Sequence, residues 1–178
     1  MVEVDMPFFI RNPESDSDWD AYYTCRWELL RKPWDKPPGS EKDDKDTDAY
    51  HVMVADQDDN VIGVGRVHFN TPTEAQVRYM AVSDDWMQKG IGSLILTKLE
   101  QYSKDNGAKK MAIDLENTRY VSSAGLRIFL ATAKKMMASS GKVILCHPND
   151  IVKDILHVSG FNTIIDVKAT VEEVLLDI

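Results

Sequence analysis

The sequence predicts an α/β protein built on one mixed sheet with helices on both faces. Two observations lead there. Strand-like segments at 51–56, 61–69 and 75–82 follow one another across turns too short for a crossover, so they pair antiparallel. From Gly90 onward, helical and strand patterns alternate, which gives βαβ units with parallel strands and right-handed crossovers. The chain has 178 residues, one domain's worth or two small ones sharing a core, and no linker separates the two patterns.

PFFIRN (7–12) reads as a short first strand. Asp16 or Ser17 caps a helix in which Trp19, Tyr22, Tyr23, Trp27 and Leu30 recur at helical spacing, a core-facing stripe that Pro33 ends. Residues 33–49 hold three prolines, one glycine and the charge run EKDDKDTD. This predicts a mobile loop, either a solvated surface or a cover over a substrate site. HVMVAD and VIGVGRVHF flank the turn signal QDDN and form a hairpin, TPTE is the next turn, and AQVRYMAV is a third strand. Ile91, Leu94, Ile95, Leu99 and Tyr102 mark a helix that stops at Asn106-Gly107. KKMAIDLE (109–116) is a strand, and a second helix runs from about Ala124 to Gly141. KVILCH (142–147) is a strand, Val152, Ile155 and Leu156 mark a third helix ending at Gly160, and NTIIDV (162–167) is a last strand. TVEEVLLDI (170–178) is a closing helix in which Thr170 and Glu173 fit a capping box.

Hydrophobic residues are 43% and charged residues 28%, as in ordinary globular proteins. Net charge is −8, which argues against nucleic acid and against an anionic membrane surface. No apolar run reaches the roughly 20 residues of a membrane span, and Met1–Pro13 lacks a secretory pattern. Cys25 and Cys146 lie far apart and read as inert core residues. His51, His68, His147 and His157 are scattered without metal spacing, so no metal site is expected. A reduced, cytoplasmic protein is the default. Glu41, Asp43 and Asp44 offer either a solvated face or an attraction for a cationic amine.

Chemistry concentrates in two places. The first is QKGIGS (88–93), between a strand and a helix. Gly90 and Gly92 remove side chains where the chain enters the helix, leaving N-terminal amides and the helix dipole to hold an anion such as a pyrophosphate. No Gly-Lys-Ser/Thr follows, so it is not a P-loop. A plain tight turn is the other reading. The run QVRYMAV-SDDWMQ-KGIGSLILTKLE resembles the acetyl-CoA-binding strand, loop and helix of GNAT-type N-acetyltransferases. The resemblance extends upstream through RWELLRKPWDKPPGSEKD, DAYHVMVAD and VIGVGRVHFN, and covers about residues 7–116. It implies that backbone groups of Met80 and Val82 receive the pantetheine and thioester, and that amides around Gln88, Lys89, Gly90, Gly92 and Ser93 hold the pyrophosphate. It also implies a strand amide near Met80 or Ala81 polarising the thioester oxygen. The family usually has Gln or Arg where Met87 stands. The family's later helix, with its asparagine and its tyrosine acid, and its last two strands have no counterpart after Glu116.

The second place is IDLE-NTRYVSSAGLRIFL, with KVILCHPND, IVKDILHVSGF and TIIDVKATVEEVLL behind it. This resembles the STAS domain of anti-sigma factor antagonists over about residues 112–178. The resemblance puts Ser123 at the position phosphorylated by an anti-sigma kinase, with Ser122 where aspartate is common. Ser123 at a helix N-terminus suits a phosphate dianion; plain helix capping is the alternative for both serines. The first two strands and first helix of that family are missing.

Both families carry a helix feeding a parallel strand near 107–116. A GNAT-like part (1–111) joined there to a STAS-like part (112–178) therefore makes one continuous hybrid domain, with antiparallel GNAT-like strands continuing into parallel STAS-like units. The abrupt switch favours a deliberate or recent fusion, and an engineered chimera without evolved function is one reading. The leading expectation is an acetyl-CoA-binding, GNAT-like N-acetyltransferase acting on a small-molecule amine, with impaired or absent turnover. Tyr79 and His51 are the candidates for the base, and Tyr120 is the nearest tyrosine for the acid. The alternative is a regulatory module that docks an anti-sigma kinase and is switched at Ser123.

Overall fold

The protein is described by a computed structural model, in which residues 7–176 are defined. Seven strands form one sheet in chain order: β1 (Phe8–Arg11), β2 (Tyr50–Asp56), β3 (Val61–Thr71), β4 (Glu74–Val82), β5 (Lys110–Asp114), β6 (Lys142–Cys146) and β7 (Asp166–Lys168). Pairing is antiparallel from β1 to β4 and parallel from β4 to β7. The change of direction falls between β4 and β5, where α2 (Ile91–Asp105) makes the first crossover. α3 (Ser123–Ala138) and α4 (Asp150–Val158) make the next two.

Strand alternation sorts the core into two faces. Val52, Val77, Met111, Ile113, Val143 and Leu145 point to the side covered by α2, α3 and α4, where Ile95, Leu99, Phe129 and Leu156 meet them. Met53 and Val64 point to the other side under α1 (Asp16–Leu30), and Ala112, Ile144 and Cys146 under α5 (Val171–Leu176). Gly65 sits in mid-strand because α2 presses on it: a Cβ there would lie 2.5 Å from Ile95 Cγ2.

Local chemistry sets the helix ends. Ser15, one residue before the expected cap, accepts from the Asp18 amide while the Asp18 carboxylate accepts from the Ser15 amide, a reciprocal box. Gly107, at φ 88°, follows the Asn106 cap of α2. Ser122 caps α3 by accepting from Gly125 N at 3.2 Å. Thr170 accepts from Glu173 N, and Glu173 in turn accepts from Ala169 N. The final two residues of the expected closing helix, Asp177 and Ile178, lie outside the described residues.

Two expectations shift. The strand expected at 162–167 is a 3-10 turn over Phe161–Thr163 followed by β7. The turn follows left-handed Gly160, and Phe161 O accepts from both Ile164 N and Ile165 N. The loop at 33–49 is pinned rather than free. Asp46 pairs with buried Arg26 at 2.9 Å and with buried Arg66 at 2.6 Å, and Asp43 pairs with Arg66 at 2.5 Å. The acidic run thus meets two arginines that the sheet face and α1 have removed from water.

Candidate active site

β4 and β5 pair only from Glu74↔Lys110 to Val77↔Ile113. Beyond that they diverge. The β3–β4 register slips between Val64↔Ala81 and Arg66↔Arg78, so Tyr79 and Met80 together oppose Gly65. Tyr79 adopts φ 55° at this bulge. Ser83 N bonds Ile62 O at 2.9 Å, and strand alternation therefore turns the amide of Val82 towards the lapsed β5 edge. Ala81 pairs back to Val64 on β3.

A cavity of about 190 Å³ fills the gap. Val77, Met80 and Ile113 line it from the strands, and Val121, Ile128 and Phe129 from α3 and the turn before it. Arg78, Asp114, Tyr120 and Ser122 supply its polar rim. At the same edge of the sheet α2 begins. Gly90, at φ 81°, is its N-cap and no side chain caps the first turn. A Cβ at Gly90 would meet nothing within 4 Å, and one at Gly92 would meet only Ile128 and Val82 at 3.9 Å. The first intrahelical bond is Leu94 N to Gly90 O; earlier amides have no helical partner. Gln88 is also left-handed, and Lys89 Nζ lies 4.4 Å over the Trp86 ring. Splayed strands, a turned-out amide and an open helix start offer hydrogen-bond donors to an extended chain and an anion at one edge of the sheet.

The turn 117–122 closes the cleft and is held from both sides. Arg31 donates to Asn117 Oδ1 and to Tyr79 Oη, each at 2.9 Å, tying α1 to the turn and to the bulge. Arg119 donates to Pro33 O and lies 4.9 Å from the Trp34 ring. Asn149, the cap of α4, donates to Thr118 O at 2.8 Å. Ser123 is exposed at the first position of α3.

The expected base candidates sit differently. Tyr79 is buried, with its ring among four guanidiniums, Arg26 nearest at 3.7 Å from the centroid. His51 is buried with both ring nitrogens engaged, Nδ1 by Tyr22 Oη at 3.1 Å and Nε2 by Asp46 O at 2.9 Å. Burial holds its pKa below the ordinary value, and the ring packs edge-on against Trp19. Tyr120 is exposed and lines the cleft.

Sequence reasoning missed Asp114 and His147. The Asp114 side chain is wholly buried at the end of β5. It accepts from Gln76, from the Glu116 amide and from His147, with Arg78 beside it. Their only signal is position, each at the C-terminal end of a parallel strand, where α/β sites gather. Asp114, Cys146 and His147 place ligand-type atoms within 4.8 Å of one another. The carboxylate is already committed to those donors. Cys146 Sγ donates to Ile113 O, and burial pushes its thiol pKa well up. The trio is therefore a hydrogen-bonded hub.

Comparison with known proteins agrees with both halves. The acetyltransferase (GNAT) family model matches residues 19–123 and the STAS domain model matches residues 85–174. A Bordetella bronchiseptica protein named as an anti-sigma factor antagonist, BtrV, is 36% identical over 63 residues, 35% of this chain and 54% of its own length. The chain thus spans about half the length of this curated relative. A Trypanosoma brucei acetyltransferase structure aligns with TM-score 0.52 and 14% identity over 70% of this chain and 89% of its own. A Pyrococcus horikoshii structure named as an acetyltransferase gives TM-score 0.52 and 16% identity over 71% of this chain and 42% of its own. At such identities the likeness is one of fold. The two family matches share 85–123, that is α2, β5 and the turn before α3, elements that serve both architectures. The chain belongs to the GNAT acetyltransferase family through residues 19–123 and to the STAS family through residues 85–174.

Proposed function

We propose that the chain is one hybrid domain, with a GNAT-like part over 1–111 and a STAS-like part over 112–178, that binds acetyl-CoA. The observation that carries this is the splay of β4 from β5 beside an uncapped, glycine-led helix start. The amides of Met80 and Val82, with Ala81 fixed to β3, receive the pantetheine and thioester. Gln88, Lys89, Gly90, Gly92 and Ser93 surround the pyrophosphate. Bound acetyl-CoA supplies an activated acetyl group, and the chain's residues orient it and exclude water through Val121, Ile128 and Phe129. Tyr120, which lines the cleft, protonates the leaving thiolate in this reading. The acceptor is a small-molecule amine. Turnover is slow, because the last two strands that complete a GNAT acceptor site are replaced.

Ligand stabilisation tests this reading. A ligand at a hundred times its dissociation constant adds about 2.7 kcal/mol, or roughly 5–11 °C in Tm for a chain of this size. Acetyl-CoA is expected to raise Tm by that order. Gly92→Glu, which has room for its Cβ but sets a carboxylate among the phosphate-binding amides, is expected to abolish the shift. An unaltered chain that shows no shift at millimolar acetyl-CoA contradicts the reading.

A second reading draws on the BtrV similarity and on exposed Ser123 behind the Ser122 cap. The 117–125 surface docks an anti-sigma kinase, and phosphorylation at Ser123 adds a dianion that weakens docking. Stable pull-down of such a kinase by the unaltered chain, lost on Ser123→Glu, is the expected result; pull-down unaffected by Ser123→Glu contradicts it.

A further inference from the structure

A polar row crosses the sheet on the face between α1 and α5. It starts at buried Arg66, which Asp43 and Asp46 hold. Arg66 Nη2 donates to His68 Nδ1 at 3.3 Å, and His68 Nε2 donates to Asn70 Oδ1 at 3.1 Å. Asn70 Nδ2 donates to Gln76 Oε1, and Gln76 Nε2 to Asp114 Oδ2, each at 3.0 Å. Every donor points the same way, from guanidinium to carboxylate, so the dipoles reinforce one another. Burial, with Arg66 adding to it, pushes the His68 pKa down to about 4, so its ring is neutral and carries one proton, as this row requires.

The row ends at a dyad. Asp114 Oδ1 lies 3.1 Å from His147 Nδ1. Facing a carboxylate, Nδ1 is the donor, which leaves the lone pair on Nε2. The ring is 30% exposed. His147 follows Cys146, which pairs with Asp114, so it stands at the C-terminal edge of the sheet, and its partner Asp114 is the residue that lines the cleft, with Arg78 and Met80. Its backbone is left-handed, φ 52°. For a residue other than glycine this costs of the order of 1–3 kcal/mol, strain that collects at functional sites. Charged or titratable groups around it are Asp114 on β5, with Arg78 of β4 against that carboxylate, Cys146 on its own strand, Lys168 paired beside Cys146 on β7, and Glu172 on α5.

We propose that His147 is the general base of acetyl transfer and that Asp114, held by Gln76 and Arg78, is its positioning residue. The assignment rests on the acetyl-CoA reading above. Nε2 takes one proton from the acceptor ammonium and becomes imidazolium. The freed amine nitrogen forms a C–N bond to the thioester carbonyl carbon, the C–S bond breaks, and CoA leaves as thiolate. Tyr120 gives its phenolic proton to the thiolate and is reprotonated by the second nitrogen proton, and the imidazolium returns its proton to water. The dyad joins the two halves: Gln76 and Arg78 come from the GNAT-like strand, Asp114 and His147 from STAS-like strands.

Three measurements on the full chain test this. Acetyl-CoA is titrated calorimetrically into the unaltered protein and into His147→Asn, whose asparagine tolerates the left-handed backbone. Acetyl transfer to a panel of primary alkylamines is followed against pH. Histidine tautomers are read by 15N NMR with and without Asp114→Asn. The expected result is binding equal within twofold, kcat/KM lowered about 10²-fold or more, and loss of the acid limb of the pH profile in His147→Asn. The NMR spectrum is expected to show His147 protonated at Nδ1, and Asp114→Asn to remove that preference. Equal binding with an unchanged rate and pH profile overturns the base assignment and leaves the acetyl-CoA reading standing. So does binding without any transfer by the unaltered chain. No binding by the unaltered chain overturns both.

Discussion

Replacing Arg66 with methionine removes the anchor of the acidic loop while keeping a long unbranched side chain. Arg66 makes three hydrogen bonds to carboxylate oxygens, at 2.5 and 3.2 Å to Asp43 and 2.6 Å to Asp46, and its side chain is wholly buried. Breaking a buried pair from one side typically costs about 3–5 kcal/mol. Asp46 keeps Arg26 and Asp43 is partly hydrated, so the cost belongs near 3 kcal/mol, against a total stability of about 5–15 kcal/mol. The pH dependence is also fixed. Burial alone would raise the Asp43 pKa, but the hydrogen bonds and charge of Arg66 bring it from 3.8 to about 2. A carboxylate depressed on folding stabilises in full above its unfolded pKa and loses that contribution as pH falls through the folded one. The gap between the two proteins is therefore widest above about pH 4 and narrows towards pH 2. Urea unfolding followed by tryptophan fluorescence at pH 7, 4 and 3 measures it. A gap under 1 kcal/mol at pH 7, or one that grows on acidification, refutes the reasoning.

Other expectations concern packing and caps. Gly65→Ala drives a Cβ to 2.5 Å from Ile95 and 3.1 Å from Leu99; overpacking costs about 1–3 kcal/mol, seen as a lowered Tm. Ser122→Ala removes the bond to Gly125 N and is expected to cost about 1 kcal/mol in urea unfolding. Both thiols are buried, and burial raises the Cys25 pKa to about 12. A maleimide is expected to label neither cysteine in the native state and both in urea.

Much of the architecture was legible because it follows from local patterns. Alternation across 51–82 and helical spacing from Ile91 to Tyr102 each point to one answer, and the short turns fix antiparallel pairing. Gly90 and Ser122 were legible as helix starts because their chemistry acts within three residues. What escaped depends on distance in the chain. Asp43 and Asp46 look solvated until Arg26 and Arg66 meet them from α1 and β3. His147 looks like one scattered histidine among four until Asp114, thirty-three residues earlier, accepts from it. The β4 bulge at Tyr79 leaves no mark in AQVRYMAV, since nothing in that run asks for a left-handed residue. The last strand, Asp166–Lys168, starts four residues later than the run NTIIDV suggests, because Phe161 O gathers the preceding amides into a turn.

The central claim is that a GNAT-type acetyl-CoA cleft persists where its far wall is built from a STAS-type helix and turn. Calorimetric titration of acetyl-CoA into the purified chain, with CoA lacking the acetyl group in parallel, tests this most directly. Saturable binding near the micromolar range, about −8 kcal/mol, is expected, together with its loss in Gly92→Glu. No heat at millimolar ligand, with the chain folded by circular dichroism, contradicts it.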